Sequence, residues 1–208
     1  RYICSDPPWG YVEGRRAYIQ RIRNAAERLT FFEKQKNNLR ARLLEAYEES
    51  GYRKNIDSIT GSSSVQNAIV LGFIGDPADY YSSGAVVRLA GLDIGENSSG
   101  TYQGETQITK AGRGRLRRAA VGSVRRIVNS WQNAAFSEKY YQLMEEKGFA
   151  KYQAYCACGG KYLRTVWWLS VHNETYDPLI ARNGLSAAKR EVEERKERSR
   201  DVEFKVPL

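Results

Sequence analysis

The chain has 208 residues, 41% of them hydrophobic and 12% aromatic, so it can bury a real core and is not a disordered polymer. Its 33 basic and 24 acidic residues leave a net charge of +9, which points toward polyanionic partners. No window approaches the ~18 consecutive apolar residues of a membrane span, and the first residues carry no secretory-signal pattern.

Residues Arg1 to Gly14, with Pro7-Pro8 and two glycines, read as irregular. The absence of an initiator methionine suggests a piece of a longer protein. Next, Tyr18, Ile22, Ala25, Leu29, Phe32, Lys36, Leu39, Leu43 and Ala46 alternate in spacings of four and three. This pattern predicts a helix of about 30 residues with a coiled-coil seam, in which Ile22, Leu29, Lys36 and Leu43 take the a positions. One amphipathic helix packed on its own domain is the alternative. Gly51 ends the pattern, and Tyr52-Arg53-Lys54-Asn55 reads as a basic linker.

From Ile56 the expectation is a compact helical domain. Serines 62–64 precede a helix over Val65, Ala68, Ile69 and Gly72, broken at Gly75-Asp76-Pro77. Ser82 or Ser83 caps a short helix ending at Gly91. A small polar loop then carries Ser98 and Ser99 before Gly100, and no strand-like alternation is convincing. Between Glu105 and Glu138 there is no acidic residue, while Lys110, Arg113, Arg115, Arg117, Arg118, Arg125 and Arg126 all fall there.

A helix is expected from Arg113 to Trp131. Leu116, Ala120, Val124, Ile127 and Trp131 share its apolar face, and Arg115, Arg118, Gly122, Arg125 and Asn129 form the opposite stripe. An all-basic helix face next to exposed hydroxyls suits a protein that grips a phosphodiester. Ser137 is expected to cap another helix, and Lys151 to Val171 a last core helix with Gly159-Gly160 inside it. Ser186 to Arg200 is a charged tail helix of nearly balanced sign. These divisions give 1–54 as N-terminal segment and coiled coil, 55–176 as the helical domain, and 177–208 as the tail.

Cys4, Cys156 and Cys158 do not give zinc-site spacing and read as reduced thiols. His172, the single histidine, lies 73 positions from Ser99 and reads as satisfied locally rather than as a catalytic base. Asp76 and Asp79 flank a Pro77 turn, and no carboxylate set for two-metal chemistry is evident.

Several segments in this order resemble the C-terminal transposase domain of the DEDD-type insertion-sequence transposases, the group that also contains the Piv-type DNA invertases. They are Ile59-Thr60-Gly61, the run from Val65 to Asp76, Val87-Arg88-Leu89-Ala90-Gly91-Leu92, Ser98-Ser99-Gly100, Thr109-Lys110-Ala111-Gly112, Leu116-Arg117-Arg118-Ala119 and Tyr140-Tyr141. The resemblance covers about Ile56 to His172 and implies a recombinase acting through a covalent serine–DNA intermediate. Ser99 falls at the family's nucleophile, with Ser98 as the neighbour that can be confused with it.

The resemblance also implies nucleic-acid contacts by Lys110, Arg113, Arg115, Arg117, Arg118 and Arg125, and a helix-hairpin-helix-like start of the domain. Thr60-Gly61-Ser62-Ser63 departs from the family's Pro-Gly-Ile-Gly there. It implies an upstream RuvC-like domain carrying Mg²⁺ on an acidic tetrad that nothing in this chain matches. Bridge RNA, homo-oligomers through the coiled coil, and a cytoplasmic, nucleoid-associated location follow from the same likeness. The rival expectation is a non-catalytic nucleic-acid-binding oligomerisation module.

Overall fold

A computed structural model describes the backbone of residues 9–99 and 102–183, and side chains over 14–93 and 108–181. The predicted tail helix, Cys4 and the start of the chain lie outside the described residues. The chain divides into two compact units, Arg1–Glu45 and Ala46–Leu208.

The first unit is formed by α1 (Trp9–Glu49), whose last turn belongs to the second. At 41 residues it is longer than the heptad pattern predicted, because the helical backbone already begins at Trp9, within the stretch expected to be irregular. Its seam is uncovered: Tyr18, Ile22, Leu29, Phe32 and Leu39 are all exposed.

The second unit holds α2 (Arg53–Asp57), α3 (Ser64–Ile74), a 3-10 turn (Pro77–Asp79), α4 (Ser83–Ala90), β1 (Ile94–Ser99), β2 (Tyr102–Ile108), α5 (Gly114–Ser130), α6 (Ala134–Glu145), α7 (Lys151–His172) and α8 (Pro178–Asn183). The expected mostly helical class is what the molecule has. Its core is built around α7, which packs against α5, α4, α6 and α2. Tyr162, Leu163 and Val166 of α7 are fully buried with Leu116, Val124 and Ile127 of α5, Val86 and Val87 of α4, and Phe136 of α6. Gly159 is a close contact rather than a kink, since a Cβ there would lie 3.3 Å from Leu92 Cδ1 and 3.6 Å from Val121 Cγ2.

Four local expectations are corrected. The basic linker is helical from Arg53, where Arg53 bridges Glu48 and Asp57 at 2.5 and 3.3 Å. Ser137 does not cap α6: Asn133 is the N-cap, and Ser137 sits inside the helix, buried, its hydroxyl unpaired among the described residues. Trp131 leaves the apolar face of α5, because the helix ends at Ser130 and Trp131 turns into the left-handed region at φ 57°, 71% exposed.

The two serines expected in a loop, finally, belong to strand β1 of an antiparallel hairpin, with Ile94 paired to Ile108 and Ser99 to Tyr102. Alternation failed to reveal it because residues 94–108 hold only Ile94, Tyr102 and Ile108 as large apolar side chains. Period-2 patterning is written by a buried apolar face, and a two-stranded ribbon held by its backbone ladder does not require one.

A polar lattice fixes the turn between α2 and α3. Asn67, wholly buried, donates to Asp57 Oδ1 (2.8 Å) and Ser62 Oγ (2.9 Å) and accepts from the Tyr162 hydroxyl (2.8 Å). The Thr60 carbonyl accepts from Asn133 Nδ2 at 3.2 Å, and Asn133 Oδ1 accepts from the Tyr176 hydroxyl at 2.9 Å. Gly61 has φ +78°, a left-handed backbone that favours glycine, and a Cβ there would also displace the Ser130 hydroxyl.

Candidate nucleic-acid interface

The surface that matters begins where two sequence segments cross. Lys110 N donates to Gly91 O (3.2 Å), Thr109 N to Asp93 O (3.0 Å) and Arg113 N to Leu89 O (2.6 Å). The Thr109 hydroxyl adds a 2.6 Å bond to Asp93 Oδ1. The crossing is so close that a Cβ on Gly112 would lie 2.5 Å from Leu89 O, 2.6 Å from Gly91 N and 2.8 Å from Arg88 O. Segments that read as separate motifs, 87–92 and 109–112, are therefore one clamp at the foot of the hairpin whose β1 ends in Ser98 and Ser99. The side chains of 94–107 lie outside the described residues, so Ser98, Ser99 and Glu96 are located by backbone alone.

Two of the arginines belong to this clamp. Arg113 donates from Nη1 to Phe73 O at 2.7 Å, tying α5 to the end of α3. Arg117, half-buried, donates to Ala90 O at 2.9 Å and to Lys110 O at 3.4 Å, satisfying the C-terminal carbonyl end of α4. Each retains further guanidinium donors, but part of its role is architectural, which charge counting alone did not reveal.

Lys110, Arg115, Arg118, Arg125 and Arg126 are exposed, and none has an ion-pair partner among the described residues. The described ion pairs are the two that Arg53 makes with Glu48 and Asp57. The start of α5 adds to this field: Arg113 at its N-cap makes no side-chain cap bond and its first turn has no acid, so the positive helix end is left uncompensated. The predicted inner face is real for Leu116, Ala120, Val124 and Ile127, which are all buried. Gly122 faces α3, where a Cβ would lie 3.3 Å from Gln66 Nε2. Beside the α2–α3 turn, an open polar cleft of about 420 Å³ is lined by Gly61, Ser62, Arg126, Asn129, Ser130 and Gln132.

The competing chemistry is absent or occupied. His172 stacks on Trp168 (centroids 4.6 Å apart), and its Nδ1–H donates to the Trp168 carbonyl at 2.9 Å. Asp76 accepts from the Tyr52 hydroxyl (2.7 Å) and from Ala78 N (2.9 Å), the turn role expected for it, and those bonds hold its pKa down. Cys156 and Cys158 are free and buried, and burial pushes the Cys158 thiol up to about 11, away from thiolate chemistry. Among the described residues no group of three or more His, Cys, Asp or Glu side chains could hold a metal ion. The described residues therefore show no set that fits the implied Mg²⁺. None of the described helices is long and apolar enough to cross a membrane.

In this helical domain, α5 carries cationic side chains without ion-pair partners among the described residues, beside a clamped hairpin that bears the two serines. Residues 53–142 match the model of the Transposase IS116/IS110/IS902 family. The matched stretch runs from α2 through most of α6 and contains the clamp, the hairpin and α5, while α1 and α7 lie outside it. No curated protein matches the chain.

Proposed function

We propose that this chain is the DNA-joining part of a transposase or site-specific recombinase, binding nucleic acid on the outer face of α5 and supplying Ser99 as nucleophile. The observation that carries the binding half is the set Arg115, Arg118, Arg125 and Arg126, exposed and without carboxylate partners among the described residues. An unneutralised row of guanidinium groups on a rigid helix suits phosphate contacts, with Lys110 and the spare donors of Arg113 and Arg117 beside it. In the reaction, the Ser99 oxygen bonds to phosphorus as one strand's ester P–O bond breaks. The departing oxygen takes a proton, and nearby arginines stabilise the charge that develops.

The serine assignment rests on the likeness described above and on the position of Ser98-Ser99 at the end of β1, where the clamp fixes the hairpin's foot. The proton acceptor and the Mg²⁺-binding acids belong, on this proposal, to a RuvC-like partner domain. Bridge RNA is a second nucleic-acid partner on the same likeness, and the bare seam of α1 joins protomers.

The binding half is tested by titrating duplex DNA at several salt concentrations. Each lost phosphate contact lowers the salt slope by about 0.9, so combined Arg115→Ala, Arg118→Ala and Arg125→Ala should lower it by roughly 2 to 3; an unchanged slope removes the proposed face. For the nucleophile, Ser99→Ala and Ser98→Ala are compared in the intact recombinase for covalent protein–DNA adducts. Adducts surviving only the Ser99 change would transfer the role to Ser98. The rival, a non-catalytic binding module, predicts the salt slope and no adduct with any variant.

A further inference from the structure

Trp131 is out of place for a core residue. Its backbone lies at φ 57°, ψ 7°, a left-handed conformation that glycine or asparagine takes more readily than an indole. Its side chain is nevertheless 71% exposed, so no burial offsets the strain. The ring is held all the same. It stacks on Tyr141 with centroids 5.7 Å apart and planes 20° apart, Tyr141 meets Tyr140 edge-on at 5.3 Å, and Tyr140 stacks on Tyr155 of α7 at 4.5 Å. Tyr140 is buried, so this aromatic ladder runs from the core outward and ends in an indole with one face covered and the rest in water.

Exposed aromatics positioned by packing, rather than left to move freely, bind flat π-systems with little loss of conformational freedom. In the chain the ring follows directly on α5, five and six positions after Arg126 and Arg125, and no acidic residue lies between Glu105 and Glu138. A π-face at the end of an arginine helix matches a base next to its own phosphates.

We propose that Trp131 is a stacking platform for an unpaired base, so that the surface takes a nucleic-acid strand with at least one base out of its duplex. This rests on the reading of α5 as the nucleic-acid face, but it is separable from it: the arginines answer to phosphate, the indole to the base.

The test uses the whole chain and two labelled single strands of about 12 nucleotides, within the span of known single-strand sites: oligodeoxythymidylate and a sugar-phosphate strand of equal length without bases. Stacking is worth about 1–3 kcal/mol per base, so Trp131→Ala should weaken binding of the base-bearing strand roughly 5- to 150-fold. Binding of the abasic strand and the salt slope should stay unchanged, and Trp131→Phe should retain most of the affinity. Trp131→Asn, which suits the left-handed backbone, guards against misfolding and should reproduce the alanine loss. An oligouridylate arm distinguishes RNA from DNA as the source of the base.

Equal losses on both strands, or wild-type affinity of Trp131→Ala and Trp131→Asn for the base-bearing strand, would overturn the stacking role. In the second case loss of binding on changing Arg115, Arg118 and Arg125 would leave the phosphate reading standing. If the wild-type chain binds neither strand nor duplex, both readings fail together.

Discussion

Replacing Gly112 by alanine probes the crossing that joins the two motifs. The added methyl would meet Leu89 O, Gly91 N and Arg88 O, at 2.5, 2.6 and 2.8 Å. All three are backbone atoms, so no side chain can rotate away, and α4 or the 109–113 turn must shift. Overpacking of this kind costs about 1–3 kcal/mol. Relief by separating the strands of the crossing also breaks the Arg113 N to Leu89 O bond, worth about 1 kcal/mol.

A total of about 3 kcal/mol corresponds, in a domain of this size, to a fall in Tm of roughly 6–12 °C. The matched control is Gly72→Ala, at an exposed position in α3 with nothing within 4 Å of the new Cβ. There alanine should stabilise by about 0.5–1 kcal/mol through helix propensity. Thermal and urea unfolding of the two variants beside the wild type would read the opposite signs. A Gly112→Ala protein within about 0.5 kcal/mol of wild type would refute the clamp as a close backbone crossing.

Three further outcomes are expected. Asn67→Ala removes the acceptor of the buried Tyr162 hydroxyl and the donor to Asp57 and Ser62; with about 1–3 kcal/mol for each buried group left unpaired, the urea midpoint should fall clearly with an unchanged m-value. Burial raises the Tyr176 phenol from 10.0 to about 12, so the folded state holds its proton where the unfolded chain has lost it. Its contribution is complete below pH 10 and declines between pH 10 and 12, so stability should drop from pH 9 to pH 11, and less so in Tyr176→Phe. Ile22→Glu with Leu29→Glu places charge on the exposed seam of α1; light scattering should show loss of self-association with the circular dichroism of the second unit retained, and an unchanged mass would remove the coiled-coil role.

Much was legible in the sequence because it depended on local period and punctuation. The long helix α1, a cap at Ser82 or Ser83 with the Gly91 stop of α4, and the buried face of α5 from Leu116 to Ile127 follow from side-chain spacing and punctuation along a single helix. Charge was equally plain: a stretch without acids cannot neutralise its own arginines.

Partnership across the chain was decided only by the tertiary structure. Arg113 and Arg117 look like their neighbours in sequence, yet the fold brings the carbonyls of Phe73 and Ala90 to them. Trp131 fits the apolar stripe of α5 until the helix ends one residue before it. The serines looked like a loop because the hairpin bearing them is made by backbone hydrogen bonds between its two arms, and backbone groups are the same in every residue. A sequence records what each side chain is; which main-chain atoms it meets is settled when distant segments are packed together.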